Sequence, residues 1–222
     1  MAHSLAEDGF EIVPAVLAET ETEAFRIAVS TMKVAPGHRN LMKRVPEIAA
    51  WAVSPKVLAL LKSRLGTEPF PVRSIFFDKT PEANWRVPWH QDLSIAVKQR
   101  LDLPGYGPWS TKDGVPHVQP PTEFLETMVT IRLHLDDCDE SNGALRVIPG
   151  SHRLGRLKAD AIAEMRSKRE EVTCPVQAGD GLLIRPLLLH ASSPAQAPAH
   201  RRVIHLEYAT RALAEGLAWA ET

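Results

Sequence analysis

The sequence predicts a mainly β protein with helices gathered in its first third, built around a closed or sandwiched antiparallel sheet. Three observations carry this. Apolar residues recur at helical spacing before residue 70 and at strand spacing after it. The strand-like runs are short and separated by turn residues, as in sheets that close on themselves. Proline supplies 18 of 222 residues, above the usual ~5% and without low complexity, which indicates many turns and ordered loops.

Taken in order, residues 20–32 (TETEAFRIAVSTM) place acids in their early turns, which suits a helix N-terminus. Ser54 and Pro55, then Val57, Leu58, Leu61 and Leu65, then Gly66, predict a second helix. Serine caps it, proline takes its first position and glycine stops it. Both helices are expected outside the sheet. Residues 71–78 (PVRSIFFD) read as a strand, and 85–93 contain another. Residues 94–124 hold Pro104, Gly105, Gly107, Pro108, Gly114, Pro116, Pro120 and Pro121, which predicts a long functional loop. In 128–135 (MVTIRLHL), Val129, Ile131, Leu133 and Leu135 share one face, and Thr130, Arg132 and His134 the other. Asn142-Gly143 signals a tight turn before a short strand at 144–148, ended by Pro149-Gly150. Residues 158–171 predict a helical insertion, and 181–190 and 203–208 the last two strands. With no repeat, low-complexity tract or linker, residues 1–222 read as one domain.

Composition narrows the function. Apolar residues at 44% and charged residues at 24% exclude wholesale disorder. A chain of this length buries roughly 70% of its unfolded surface and needs no disulfide or structural metal to fold. Lys+Arg 26 against Asp+Glu 27 argues against a nucleic-acid or membrane-surface binder that relies on bulk charge, though not against a local basic pocket. No run approaches the roughly 18 apolar residues of a membrane span. Residues 1–11 carry Glu7, Asp8 and Glu11 and lack the apolar core of a secretory leader. Cys138 and Cys174 form no close motif and read as inert. The expectation is a reduced, cytoplasmic protein whose partner is a small molecule, with no nucleic acid and no membrane.

Three constellations could carry chemistry. His90 and Asp92 in 89–92 (WHQD) point to one face of a strand; alone, they could equally be two polar residues on a wetted face. The apolar run 187–189 ends in His190, otherwise an ordinary edge histidine. Arg201 and Arg202 follow eleven and twelve residues later, otherwise two surface charges. Together they say more. Two histidines and a carboxylate form the facial triad of non-haem Fe(II) oxygenases, which leaves open positions on the metal. A 2-oxo acid can chelate there, and its far carboxylate needs a fixed cation such as arginine.

The runs 89–92 (WHQD), 142–152 (NGALRVIPGSH), Gly179-Asp180 and the stretch from His190 to Arg201 resemble the phytanoyl-CoA dioxygenase family of Fe(II)/2-oxoglutarate-dependent oxygenases, which includes ectoine hydroxylase. The resemblance extends from Asp8-Gly9-Phe10 to about Tyr208. It implies a double-stranded β-helix, a cupin-like jelly-roll barrel with flanking helices. It implies His90, Asp92 and His190 as iron ligands, and Arg201 and Ser192 as partners of the 2-oxoglutarate distal carboxylate. Trp109 stands close to where the family often carries a tryptophan beside the co-substrate. The family also often places a further basic residue upstream; Arg39, Lys43, Arg44 and Lys79 are the candidates, and the sequence does not select among them.

The last strand sets a test. Ile204, Leu206 and Tyr208 share parity with Arg202; Val203, His205 and Glu207 share it with Arg201. A plain core argument turns the apolar set inward and selects Arg202. A catalytic barrel instead has a polar lumen and an apolar outer face covered by helices. On that reading Arg201 and His205 face the site, as do Thr130, Arg132 and His134. His117 is expected as a surface histidine, with substrate contact as the alternative; Trp85, Trp89 and Trp109 either line an apolar pocket or simply pack. The function expected is a dioxygenase using Fe(II), 2-oxoglutarate and O₂ to hydroxylate a small molecule, with release of succinate and CO₂. The rival readings are a non-catalytic metal- or ligand-binding jelly roll, and a cupin-like metal-dependent isomerase or hydrolase.

Overall fold

Two antiparallel sheets face each other across a divided interior. In the computed structural model, residues 3–33, 35, 37–196 and 199–221 are described. The first part contributes β1 (Phe10–Val13), α1 (Glu19–Val29), β2 (His38–Arg39), α2 (Leu41–Arg44), α3 (Pro46–Ala52), α4 (Pro55–Leu65) and β3 (Phe70–Lys79). The middle contributes β4 (Val87–His90), β5 (Ile95–Ala96), β6 (Trp109–Lys112), β7 (Val115–Val118), α5 (Thr122–Leu125) and β8 (Val129–His134). The rest contributes β9 (Leu145–Val147), α6 (Ala159–Lys168), β10 (Val172–Cys174), β11 (Gly181–Ile184), β12 (His190–Ser192) and β13 (Arg201–Ala209). The major sheet runs β1-β11-β8-β13-β3-β2 and the minor sheet β10-β9-β12-β4. This is the expected double-stranded β-helix.

The side-chain alternation of β8 and β13 decides what each face does. Ile131, Leu133, Ile204, Leu206 and Tyr208 point outward into one cluster with Phe25, Val29, Ile48, Trp51 and Leu61 from the helices. Helices rather than the opposite sheet therefore cover the apolar face. The Tyr208 hydroxyl is not left orphaned: it donates to the Ala52 carbonyl at 3.0 Å. The opposite parity, Arg132, His134, Arg201, His205 and Glu207, is buried between the sheets. One part of that interior is apolar, with Phe10, Leu182, Ile184 and Leu188 packed on Leu145 and Val147. The polar remainder is the site.

Three local expectations are corrected. Ser54 occupies the N-cap position of α4 with Pro55 next, and Gly66 ends the helix at φ 73°, but the Ser54 side chain makes no capping hydrogen bond. The stretch 94–124, expected as a long loop, instead carries α5 and a third sheet ordered β5-β7-β6. Its hairpin turns on Asp113 and Gly114, both at positive φ, the residue pair that a two-residue hairpin favours. The single strand expected at 181–190 is two, because the chain leaves β11 in the major sheet and turns, with Leu188 N–H on the Arg185 carbonyl, to reach β12 in the minor sheet.

Ile131 is fully buried where β8 meets the helices. Ile131→Ala should destabilise the protein by about 2–5 kcal/mol, read as a lower urea midpoint with an unchanged slope.

Candidate metal centre

The centre is built by one strand pairing. β12 runs antiparallel to β4 with His190 directly opposite His90, and the two imidazole centroids are 4.2 Å apart. Asp92 lies just beyond β4, where its backbone N–H donates to the Pro186 carbonyl at 2.8 Å. That bond ties the aspartate to the segment leading into β12. Asp92 Oδ1 is 3.6 Å from His90 Nε2, and Oδ2 is 3.7 Å from His190 Nε2. One ligand atom from each of the three residues lies within 4.8 Å of the others.

Both imidazoles are oriented alike. His90 Nδ1 meets the Pro88 carbonyl and His190 Nδ1 the Leu188 carbonyl, each at 2.8 Å. A carbonyl accepts only from a protonated Nδ1, so each Nε2 keeps its lone pair for the centre. Burial pushes His190 down to about 4 despite the Asp92 charge. Burial also opposes a charged His90, but the hydrogen bond and charge of Asp92 outweigh it and raise that imidazole. Asp92 resists its own burial through the His90 hydrogen bond and both histidine charges, and lies well below the usual carboxylate range. Two neutral nitrogens and one ionised oxygen, with no thiolate, fit a divalent iron.

The motifs around the ligands hold them in place. Gln91 is spent on the backbone: its Nε2 donates to the Gly155 and Leu187 carbonyls, and its Oε1 accepts from Leu157 N–H. Ser151 Oγ accepts from Leu189 N–H, one residue before His190. Trp89 packs with Ile148, Met165 and Leu189 under the Arg146 and Arg166 guanidiniums.

A cavity of about 560 Å³ opens on the centre and is lined by His90, Asp92, His190, Ser192, Arg201 and His205, and also by Trp85, Phe77 and Arg132. At its inner end the Arg201 guanidinium donates to the Gly143 carbonyl at 2.9 Å, and Ser192 Oγ donates to the same carbonyl at 2.8 Å. Lys79, fully buried, donates to Ser192 Oγ at 2.8 Å and to the Ser193 carbonyl. Burial, then the Arg201 charge, lowers the Lys79 ammonium to about 7. Arg132 is lowered to about 10 by the same two causes in the same order. Gly143 is required here: its φ is +87°, and a Cβ would lie 2.6 Å from the Ser193 carbonyl oxygen and 2.9 Å from Lys79 Nζ.

The structure separates the sequence candidates. Arg202 lies on the outer face, paired to Asp136 at 2.6 Å. Of the four basic candidates, Lys79 joins the Arg201 cluster. Lys43 instead donates to the Ala220 carbonyl, and Arg39 pairs with Asp113 across the mouth. Trp109 is not among the residues that line the cavity; from β6 of the third sheet it packs against the cluster of Ile95, Val97, Val118 and Phe124, and Trp85 lines the cavity. His117 is not a surface residue. It is 1% exposed on β7, the middle strand of its sheet, and burial pushes it down to about 4. His134 is buried too, neither ring nitrogen has a partner among the described residues, and burial next to Arg132 and Arg201 drives it well below the usual histidine range. Cys138 and Cys174 are free and buried. Trp85 and Gly143 carried no specific signal beyond a tryptophan near WHQD and a turn dipeptide.

The comparisons agree with this geometry. The phytanoyl-CoA dioxygenase family model matches residues 5–203. A crystal structure of AviO1 from Streptomyces viridochromogenes Tue57 superposes with a TM-score of 0.67 at 24% identity, covering 95% of this chain and 93% of that one. EctD from S. alaskensis, solved with 2-oxoglutarate and 5-hydroxyectoine, gives 0.71 at 18% identity over 93% and 74%. HygX from Streptomyces hygroscopicus, solved with iron, gives 0.69 at 19% over 95% and 86%. No curated protein matches the chain, and among the described residues no helix is long and apolar enough to cross a membrane. The chain belongs to the phytanoyl-CoA dioxygenase family of iron- and 2-oxoglutarate-dependent oxygenases.

The buried imidazoles set an acid limit on the metal-free protein. His117, His134 and His190 have lowered values when folded against an ordinary value near 6.5 when unfolded, so between about 6.5 and 4 the unfolded chain binds more protons. Stability present above that window is lost as pH falls through it. Raised His90 acts oppositely, adding stability below its unfolded value that is lost as pH rises through its folded one. Urea midpoints should fall from pH 6.5 to 4; a flat profile would mean the three imidazoles are already charged in the folded state.

Proposed function

We propose that His90, Asp92 and His190 hold Fe(II), that Arg201, Lys79 and Ser192 hold the distal carboxylate of 2-oxoglutarate, and that the protein hydroxylates a small molecule. The observation that carries this is the convergence of the three ligand residues on a cavity whose inner end is lined by Ser192 and Arg201. Bound there, iron, 2-oxoglutarate and O₂ supply oxidative decarboxylation to succinate and CO₂, coupled to oxygen insertion into a substrate C–H bond.

The chain's own residues do the positioning. Asp92 stays ionised and the His190 Nε2 stays unprotonated, so of the three donors only His90 has a proton to give up. Arg201 offers a planar fork to a carboxylate, anchored by the Gly143 carbonyl. Lys79 reaches the same end through Ser192. In the free protein the Lys79 proton is only loosely held; a carboxylate beside it restores the full ammonium. His205, T-shaped against Phe77 at 5.7 Å, shapes the wall between Arg132 and Glu207 and is assigned to the co-substrate's surroundings, while Trp109 is not assigned a co-substrate contact. The segment 94–124 acts as the cover that excludes water, tied shut by Arg39 on Asp113. The protein works as one catalytic domain in the cytoplasm.

Anaerobic titration of 2-oxoglutarate into Fe(II)-loaded protein should raise the weak visible band of bidentate chelation. His90→Ala should abolish it. Arg201→Ala should require at least about 30-fold more 2-oxoglutarate, the low end of breaking a buried charge pair. Bound iron with no band would instead support the cupin-like isomerase or hydrolase, and no affinity for either would support the non-catalytic jelly roll.

Because Lys79 must be protonated to hold a carboxylate, 2-oxoglutarate affinity should fall by up to about tenfold per pH unit above 7. In Lys79→Met the dissociation constant should be higher at pH 6 and lose that dependence.

A further inference from the structure

Beside the main cavity lies a second chamber of about 350 Å³ that shares His90, Asp92 and His205 with it. Its own lining is polar: Arg73, Lys112, Gln119 and Glu207, with Arg39 common to both. Its apolar residues are only Ile75, Phe77 and Leu93. That is too little apolar wall for a long acyl chain, whose transfer from water draws on apolar contact along its whole length.

The charges in this chamber do not close. Glu207 is spent on Arg73 at 2.8 Å and lies 3.3 Å from His205. Arg39 is spent on Asp113, and Asp92 faces the two ligand histidines. The Lys112 side chain makes no ion pair or hydrogen bond among the described residues, yet the residue is half-buried at the end of β6, with Arg73 and Arg39 lining the same chamber. Its own burial and then those two cations lower it, against the smaller opposing pull of Asp92 and Glu207. The hairpin does not leave it free to swing away, since β6 pairs with β7 through Lys112 and Val115 and the next residue, Asp113, is fixed to Arg39. A half-buried ammonium beside two guanidiniums, with the local carboxylates already engaged, is an unsatisfied arrangement that a bound anion would complete.

We infer that the substrate is a small polar molecule bearing an anionic group, a carboxylate or a phosphate, which Lys112 holds in this second chamber beside the metal centre, with Arg73 and Arg39 flanking it. This rests on the Fe(II)/2-oxoglutarate reading above, with the co-substrate at the separate Arg201 end. Lys112 is then the residue that selects for negative charge, and a neutral or long-chain substrate is disfavoured.

The test uses Fe(II)-loaded protein with saturating 2-oxoglutarate, kept anaerobic, with the visible band as readout. Matched probes are titrated in: glycerol 3-phosphate against glycerol, and cyclohexanecarboxylate against cyclohexanecarboxamide. At least one anionic probe should perturb the band where its neutral partner does not, and which one does so separates phosphate from carboxylate. Lys112→Met should weaken that perturbation by about tenfold or more, Lys112→Arg should retain it, and neither should alter the 2-oxoglutarate titration. Equal response to charged and neutral partners overturns the proposal. So does a Lys112→Met protein whose 2-oxoglutarate affinity itself falls, since the lysine would then serve the co-substrate. Absence of the band in the unaltered protein is a different failure, that of the underlying cofactor reading.

Discussion

The antiparallel pairing of β12 with β4 is the constraint on which the site depends. It sets His190 across from His90, and the Asp92 N–H on Pro186 brings the carboxylate into the same small volume. A one-residue slip in that register would send one imidazole to the other face of the sheet. Much of the surrounding sequence guards against it. Gln91 binds three backbone groups, Ser151 takes the Leu189 N–H, and the Ile148 N–H reaches the Leu189 carbonyl. The characteristic run at 142–152 therefore contributes scaffolding rather than ligands: Gly143 seats Arg201 and Ser192, and Ser151 fixes the approach to His190.

A second constraint is electrostatic. Lys79, Arg132 and Arg201 are all buried between the sheets, a costly placement for positive charge. The fold meets part of the cost with backbone carbonyls, Gly143 for Arg201 and Ser193 for Lys79. It meets another part by depressing the Lys79 proton affinity. On the proposed reading, the distal carboxylate of 2-oxoglutarate would meet the remainder.

The two-sheet architecture and the His90, Asp92 and His190 candidates were legible because both follow from local pattern. Strand alternation in 128–135 and the spacing within WHQD are short-range properties of the chain. The facing of the last strand was also legible, but only by letting a polar lumen override the usual rule that apolar faces turn inward; Arg201 lines the cavity, and Ile204, Leu206 and Tyr208 pack outward, against helices. What could not be read was long-range or conformational. Lys79 stood among four equal candidates until β3 paired with β13, placing it opposite Arg201. Trp109 lies outside the cavity lining, on β6 of a sheet that the proline-rich stretch did not announce. Ser54 has the right backbone for a cap and still makes no bond, since a side-chain rotamer is not encoded by position alone.

The third sheet has a consequence for how such a protein can change over generations. The iron-ligand candidates sit on or beside strands whose pairing is internal to the barrel, whereas Lys112 and Asp113 sit on a hairpin that pairs only within its own β5-β7-β6 layer. Substitutions there alter what lies over the chamber without touching the β4–β12 register. The candidate metal centre and the hairpin over the second chamber thus sit on separable pieces of backbone. A lineage can rewrite the hairpin while the three converging residues are inherited intact.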